Sequence, residues 1–297
     1  MSPWLPVAPC TVAACVSAPA DMAGPARRAL RLLGAVAVML VGLPWAFVAP
    51  RFGDARRAVV AMVWARLFLW VLGVRLEVRQ AGGSMMPAER GGPVVAGGSA
   101  VAPAETGGAL LVANHVSWLD PLVIAATMQC RPLAKSEIAE WPVIRSLVAG
   151  GGAIFIDRDR LSTLPATVRT VADALRAGQS VAAFPEGTTW CGRGVGPFRP
   201  AMFQAAIDAG APVRPIGLRF CDRDGELATG PAFVGDDTLL ASLGRVIAAR
   251  GLVVEVTMFP VIAYGSEEHV TRRVLAGIAQ ATVSGGPRVR HDAAIAA

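Results

Sequence analysis

Two long apolar stretches open the chain before its pattern shortens into strands and helices. Leu32 to Pro50 is uncharged and mostly apolar, about as long as the ~20 residues a bilayer crossing needs, and Arg27, Arg28 and Arg31 precede it. A second run, Ala58 to Val74, carries Trp64, Phe68 and Trp70 and is broken by Arg66. Val74 to Gln80 then alternates with period two, which predicts a strand with one wet face. Ala109 to Ala113 is a short continuous apolar run and reads as a buried strand, followed by a helix beginning near Asp120-Pro121 and continuing through Leu122 to Met128. Arg131 to Lys135 reads as a turn into a short strand. Ile138 to Val148 is amphipathic and helix-length, and Ala153 to Ile156 is strand-like. Ser162 to Ala177 bears a helical stripe at Leu164, Val168, Val171, Ala172 and Leu175, closed by Gly178. Ser180 to Phe184, Val213 to Leu218 and Leu252 to Phe259 complete the strands; Ala201 to Asp208, stopped by Gly210, and Glu267 to Val283 complete the helices. Strands alternating with helices predict an α/β domain.

Three stretches lack any period. Residues 1–25 are rich in Ala, Pro and Val and are expected to be poorly ordered, with Met22 as an alternative start. Residues 81–108 hold Gly, Ala, Pro and Ser with hardly a large apolar side chain, which predicts a flexible insertion. The tail, 285–297, is expected to be disordered. The layout is thus a helical pair over 26–74 and a larger domain over 75–284.

Composition sharpens the picture. Apolar residues make up 54% of the 297 and charged ones 17%, more apolar and less charged than an ordinary soluble domain. The helical pair is therefore assigned to lipid, either crossing the membrane or embedded as a hairpin in one leaflet. Pro44 and Arg66 burden a crossing, whereas a hairpin would let Arg27, Arg28, Arg31, Arg51, Arg56, Arg57 and Arg66 reach lipid phosphates. Arg51, Arg56 and Arg57 favour a cytoplasmic loop. A cleaved signal is disfavoured, because Ala46 to Ala49 lacks clean small-x-small residues. The net charge of +6 rests on arginines and one lysine, Lys135, with no basic stripe interleaved with aromatics, so nucleic acid is not an expected partner. Five cysteines with no Cys-x-x-C pair suggest neither a disulfide framework nor a zinc site, and no metal is expected.

Chemistry centres on Asn114-His115-Val116-Ser117-Trp118-Leu119-Asp120. A histidine between a strand and a helix projects from a sheet edge, and an aspartate five residues on can turn back to its ring N–H, leaving the other nitrogen as a base. Phe184-Pro185-Glu186-Gly187-Thr188-Thr189 reaches that edge from another strand. Asp157-Arg158 ends the Ala153–Ile156 strand, and a guanidinium there could grip a phosphate with two parallel N–H bonds, or else pair with Asp157 or Asp159 on the surface. Cys191 has no second histidine to activate it as a nucleophile, and Gly-x-Ser-x-Gly is absent, which disfavours a serine hydrolase.

The His-x4-Asp block, Gly152 to Arg158, Phe184 to Thr188 and Val213-Arg214-Pro215-Ile216 together resemble the four ordered motifs of the 1-acylglycerol-3-phosphate acyltransferase family, over roughly residues 109 to 220. The resemblance implies a mixed, largely parallel sheet flanked by helices, preceded by a membrane-associated two-helix segment. It implies acyl transfer from acyl-CoA or acyl carrier protein to the hydroxyl of a lysolipid such as lysophosphatidic acid, at a membrane, with the catalytic domain on the cytoplasmic face and no cofactor. His115 and Asp120 would be catalytic. Arg158, Glu186, Gly187 and Thr188 would bind substrate, with Lys135 near the cleft. The family often has arginine where this chain has Thr189, so a lyso-aminolipid acceptor such as lyso-ornithine lipid stays open, with Arg193 and Arg199 as possible substitutes. Pro215 would shape an acyl-chain wall or mark an edge strand. A thioesterase, or an anchored scaffold in which the His-Asp pair is structural, are the other readings.

Overall fold

The computed structural model describes residues 6–81, 107–136, 140, 142–157, 160–263 and 270–285. The expected insertion and tail lie almost wholly outside these residues, as does Arg158.

Seven strands form one sheet in the order β1-β7-β6-β2-β5-β3-β4. They are β1 (Arg75–Gln80), β2 (Leu110–Ala113), β3 (Arg131–Lys135), β4 (Ile154–Ile156), β5 (Val181–Ala183), β6 (Val213–Cys221) and β7 (Val253–Met258). Every neighbouring pair is parallel except β6 and β7. The sheet is therefore mixed and mostly parallel, with helices between the strands as crossovers.

Period two along β2 builds the layers. Leu110 and Val112 face α6 (Leu164–Arg176), α7 (Ala201–Ala209) and α9 (Arg272–Gly285), where Val171, Phe203 and Leu275 are buried. Leu111 and Ala113 face the opposite core, with Leu69 and Leu72 of α3 (Asp54–Leu72), Val123 and Ile124 of α4 (Asp120–Thr127), and Val246 of α8 (Leu239–Ala248). Covered on both faces, β2 has no exposed position and reads as an unbroken apolar run. Helix α8 was not expected. Thr238 caps it by accepting from the Ala241 amide, a local signal that went unused among flanking Gly and Asp residues.

Both amino-terminal helices form. Helix α2 (Pro25–Val48) runs on through Pro44 and packs against α3 and α5 (Pro142–Gly150). The fit is close at Gly42, where an added Cβ would fall 2.6 Å from the Trp64 indole nitrogen and 2.8 Å from a Leu147 methyl. Trp64 in turn donates to the Val38 carbonyl at 3.1 Å. Helix α2 is long and apolar enough to cross a membrane, and only 22% of its most apolar window is buried, unlike a core helix.

Several arginines expected to reach phosphates do something else. Arg66 Nε donates to the Ala126 carbonyl at 2.7 Å, capping the end of α4, and Arg31 donates to Ile247 and Ala249 at the end of α8. Each cation thus meets carbonyls that a helix terminus leaves unpaired. Arg57 likewise reaches the Ala149 carbonyl and Asp54.

The amino-terminal segment also departs from expectation. Residues 6–24 pack on the domain, burying Cys10 and Ala23 and including the short helix α1 (Val12–Cys15). The Ser17 amide donates to Thr229, Ala23 to the Ala248 carbonyl, and Arg250 to the Asp21 carbonyl. These partners lie more than 200 residues away, which is why composition alone read the segment as disordered.

Candidate active site

Because β2 and β5 are parallel neighbours with Val112 opposite Ala183, their carboxyl ends deliver His115 and Glu186 to the same sheet edge. That edge is where open α/β sheets bind ligands. Asn114 fixes the exit from β2: its side chain donates to the Leu218 carbonyl at 2.9 Å and accepts the Leu218 amide at 2.8 Å, locking the turn to β6.

The His115 ring is held on two sides. Its Nδ1 lies 2.8 Å from Asp120 Oδ2, and its face stacks on Phe184 with centroids 4.3 Å apart. Engagement of Nδ1 by the carboxylate leaves Nε2 as the proton-accepting position. Asp120 is fully buried at the first turn of α4, and the same Oδ2 accepts the amides of Val116 and Ser117. Its Oδ1 is buried and has no hydrogen-bond partner among the described residues. An anion here is held by backbone dipoles at a helix start as well as by the ring.

Glu186 is 1% exposed, and its two oxygens accept the backbone amides of His115 and Gly196. Burial pushes its carboxyl up to about 8, against the downward pull of those two hydrogen bonds, with the Asp120 charge adding to the rise. The expected contact between Glu186 and an acceptor therefore has no exposed carboxylate atom to make it. The side chain clamps the His115 loop instead, and the Trp190 amide closes the other side by donating to the His115 carbonyl at 2.7 Å.

Gly187 follows at φ 73, a left-handed conformation that suits glycine. Its α-carbon also lies close under Pro6: an added Cβ would fall 2.6 Å from that proline's Cγ. Thr188 is half-buried beside it. Lys135 is exposed at the carboxyl end of β3, on the same sheet edge but two strands from β2. The Thr189 hydroxyl donates to the Phe233 carbonyl, so this side chain is turned to backbone. Arg193 reaches the Ala14 carbonyl at 3.4 Å, and Arg199 is exposed while its amide donates to Pro185. Pro215 is buried in β6, an inner strand, which removes the edge-strand reading; its carbonyl accepts the Phe259 amide where the pairing with β7 ends.

Sequence reasoning did not find the Phe184 stack, the Asn114 clamp or the Trp118 indole, which donates to the buried Ser242 of α8. Residue type was a hint for Phe184, directly before the Pro-Glu-Gly-Thr block. The other two depend on partners more than 100 residues distant.

Residues 94–219 match the family model described as Acyltransferase. The matched stretch resembles that family, and the chain spans about 60% of the length of the curated relatives it matches first. Over 155 residues the chain is 38% identical to the 1-acyl-sn-glycerol-3-phosphate acyltransferase of Neisseria gonorrhoeae, covering 52% of this chain and 60% of that protein. The lyso-ornithine lipid O-acyltransferase of Pseudomonas aeruginosa is 36% identical over 48% of this chain and 55% of its own length. That of Rhodobacter capsulatus is 28% identical over 90% and 92%. Among solved structures, the 1-acyl-sn-glycerophosphate acyltransferase PlsC of Thermotoga maritima shares the acyltransferase fold, with a TM-score of 0.59 and 16% identity over 88% of this chain and 93% of that one.

Proposed function

We propose that this chain is an acyltransferase that moves a fatty acyl group from a thioester, acyl-CoA or acyl carrier protein, to the free hydroxyl of lysophosphatidic acid. The observation that carries this reading is the His115 imidazole backed at 2.8 Å by a buried carboxylate at the ligand-binding edge of the sheet. His115 Nε2 removes the hydroxyl proton while the hydroxyl oxygen attacks the thioester carbonyl. Asp120 stabilises the imidazolium that forms. When the tetrahedral intermediate collapses, the carbon–sulfur bond breaks and the imidazolium returns its proton to the thiolate, so the histidine is regenerated. No covalent acyl-enzyme, metal or redox cofactor is needed. Arg158 is proposed as the acceptor's phosphate ligand and Lys135 as a second cation on that edge.

Helix α2 would anchor the protein in the membrane, with Leu33, Leu40, Val41 and Phe47 exposed on it and Val63, Leu67 and Trp70 exposed on α3. A cytoplasmic catalytic face agrees with the arginines between the two helices.

A second reading places lyso-ornithine lipid as the acceptor. It is favoured by Thr189 turned to the Phe233 carbonyl and by the end-to-end match to the Rhodobacter capsulatus relative. Membranes containing the wild type or His115→Ala, supplied with labelled acyl-CoA and either lysolipid or water, separate the two. Transfer to lysophosphatidic acid that vanishes in the variant supports the first reading. Transfer only to the aminolipid replaces the acceptor, and turnover that survives His115→Ala sinks the mechanism.

A further inference from the structure

Cysteines that sequence spacing left unrelated come together in space. Cys10 and Cys15 belong to the amino-terminal segment and Cys191 to the loop after β5, yet their sulfur atoms all lie within 4.8 Å of one another. Cys10 and Cys191 are buried, each 7% exposed, and Cys15 is half-buried, so Cys15 is the member most open to solvent. All three are free thiols. From these positions we infer that Cys10, Cys15 and Cys191 form a three-thiolate binding site for a soft d10 metal ion, with Zn(II), Cd(II) or Cu(I) as the chemical class.

The dimensions suit such an ion. Metal–sulfur bonds of ~2.3 Å set three trigonally arranged sulfurs roughly 4 Å apart, so small side-chain adjustments close the observed group around a metal. Three thiolates with no carboxylate or imidazole among them select soft cations over Mg(II) or Ca(II). Burial pushes the Cys10 thiol up to about 12, with Cys191 and Cys15 opposing its charge. A bound cation reverses that preference by holding the thiolates directly. Half-exposed Cys15 gives the ion its way in and leaves room for water or a small ligand at a fourth position.

Placement gives the site a consequence. Cys191 follows Trp190, whose amide holds the His115 carbonyl, and five residues earlier lies Glu186, which holds the His115 amide. On the other side, Cys10 and Cys15 sit in the segment that lays Pro6 over Gly187. An ion bound to all three sulfurs staples that segment to the catalytic loop.

The test uses the full chain in detergent, reduced with a phosphine and freed of reductant without air. Cd(II) alone is titrated while thiolate-to-metal charge-transfer absorption is followed, and Zn(II) is titrated in competition with a chelating dye. One equivalent per chain is expected. Cys10→Ser, Cys15→Ser and Cys191→Ser should each weaken it by more than about 100-fold, beyond the 10- to 100-fold cost of losing only a supporting contact. Cys130→Ala, away from the cluster, should bind as the wild type does. Proteolysis between residues 6 and 24 should slow when metal is added to the wild type and be unchanged by metal in Cys15→Ser, whose half-exposed position makes it the variant least disruptive to folding. Equal Cd(II) binding by wild type and Cys15→Ser would overturn the inference, as would the absence of a tight equivalent in the reduced wild type. A Cys10–Cys191 disulfide that forms in air while the reduced protein takes up no metal would overturn it too.

Discussion

Asp120→Asn isolates the charge at the heart of the site while keeping its shape. In the protein one oxygen, Oδ2, takes the His115 ring and the Val116 and Ser117 amides, while Oδ1 takes nothing among the described residues. An asparagine that puts its oxygen in the Oδ2 position keeps all three contacts and places its NH2 where Oδ1 was. Two things change. The imidazolium loses an opposing charge, worth about 4 kcal/mol at ~4 Å between charge centres and an effective dielectric constant of ~20. A neutral hydrogen bond survives, so the loss in kcat should lie near 10²- to 10³-fold, each ~1.4 kcal/mol being tenfold. Separately, the buried NH2 lacks an acceptor, costing ~1–3 kcal/mol of stability, or a Tm lower by several degrees at roughly 2–4 °C per kcal/mol. The assay is acyl transfer from labelled acyl-CoA to lysophosphatidic acid at saturating donor, with circular dichroism to show that the variant is folded. His115→Ala should lose ~10²- to 10⁴-fold, and the double variant should lose no more than His115→Ala, because Asp120 acts through the ring. Losses that multiply in the double variant would refute this reasoning, as would a folded Asp120→Asn protein retaining more than about a tenth of wild-type kcat.

Glu186 gives the protein a pH-dependent stability. Its folded carboxyl is raised from 4.5 to about 8, so between those values the native state binds more protons than the unfolded one and stability falls as pH rises. Tm measured across that window should decline in the wild type and lose this component in Glu186→Gln; an unchanged slope would assign it to another group. Arg66→Met leaves the Ala126 carbonyl uncapped and should cost ~1.5–3 kcal/mol, the range for a hydrogen bond to a charged group, read as a lower Tm in detergent. No change in Tm would mean that the arginine does not fasten α3 to α4. Gly187→Ala imposes ~1–2 kcal/mol of left-handed strain and pushes Pro6 away, so proteolysis ahead of α1 should quicken; an unaltered cleavage rate would show that Pro6 does not depend on that contact.

Legibility followed range along the chain. His115 and Asp120 could be read together because five residues and a helix start suffice to bring a carboxylate back to a ring. The β2 strand was legible from its unbroken apolar run, and α6 from its stripe and Gly178. The inward role of Glu186 was not, because nothing in Phe-Pro-Glu-Gly-Thr announces that both oxygens will be taken by amides of His115 and Gly196. The cysteine cluster joins positions 10, 15 and 191, a closure that no spacing rule encodes. Residues 6–24 misled through composition: Ala and Pro read as disorder until Thr229, Ala248 and Arg250 supply partners from the far end of the chain.

Arg66 and Arg31 bear on more than the stability of two helix ends. Helix α4, whose last turn Arg66 grips, begins with Asp120; helix α8, whose end Arg31 grips, contains the Ser242 that takes the Trp118 indole. The His115–Asp120 segment is thus braced at two points by the same helices that would meet lipid. Removing residues 26–74 would not release a smaller intact domain. It would strip two struts and remove the Phe68, Leu69 and Leu72 wall, uncovering the core it packs on, Val123 and Ile124 of α4 included. By the same linkage, and on the proposed function, a bilayer whose thickness tilts α2 and α3 would be felt at His115, and turnover would respond to the thickness of the surrounding membrane.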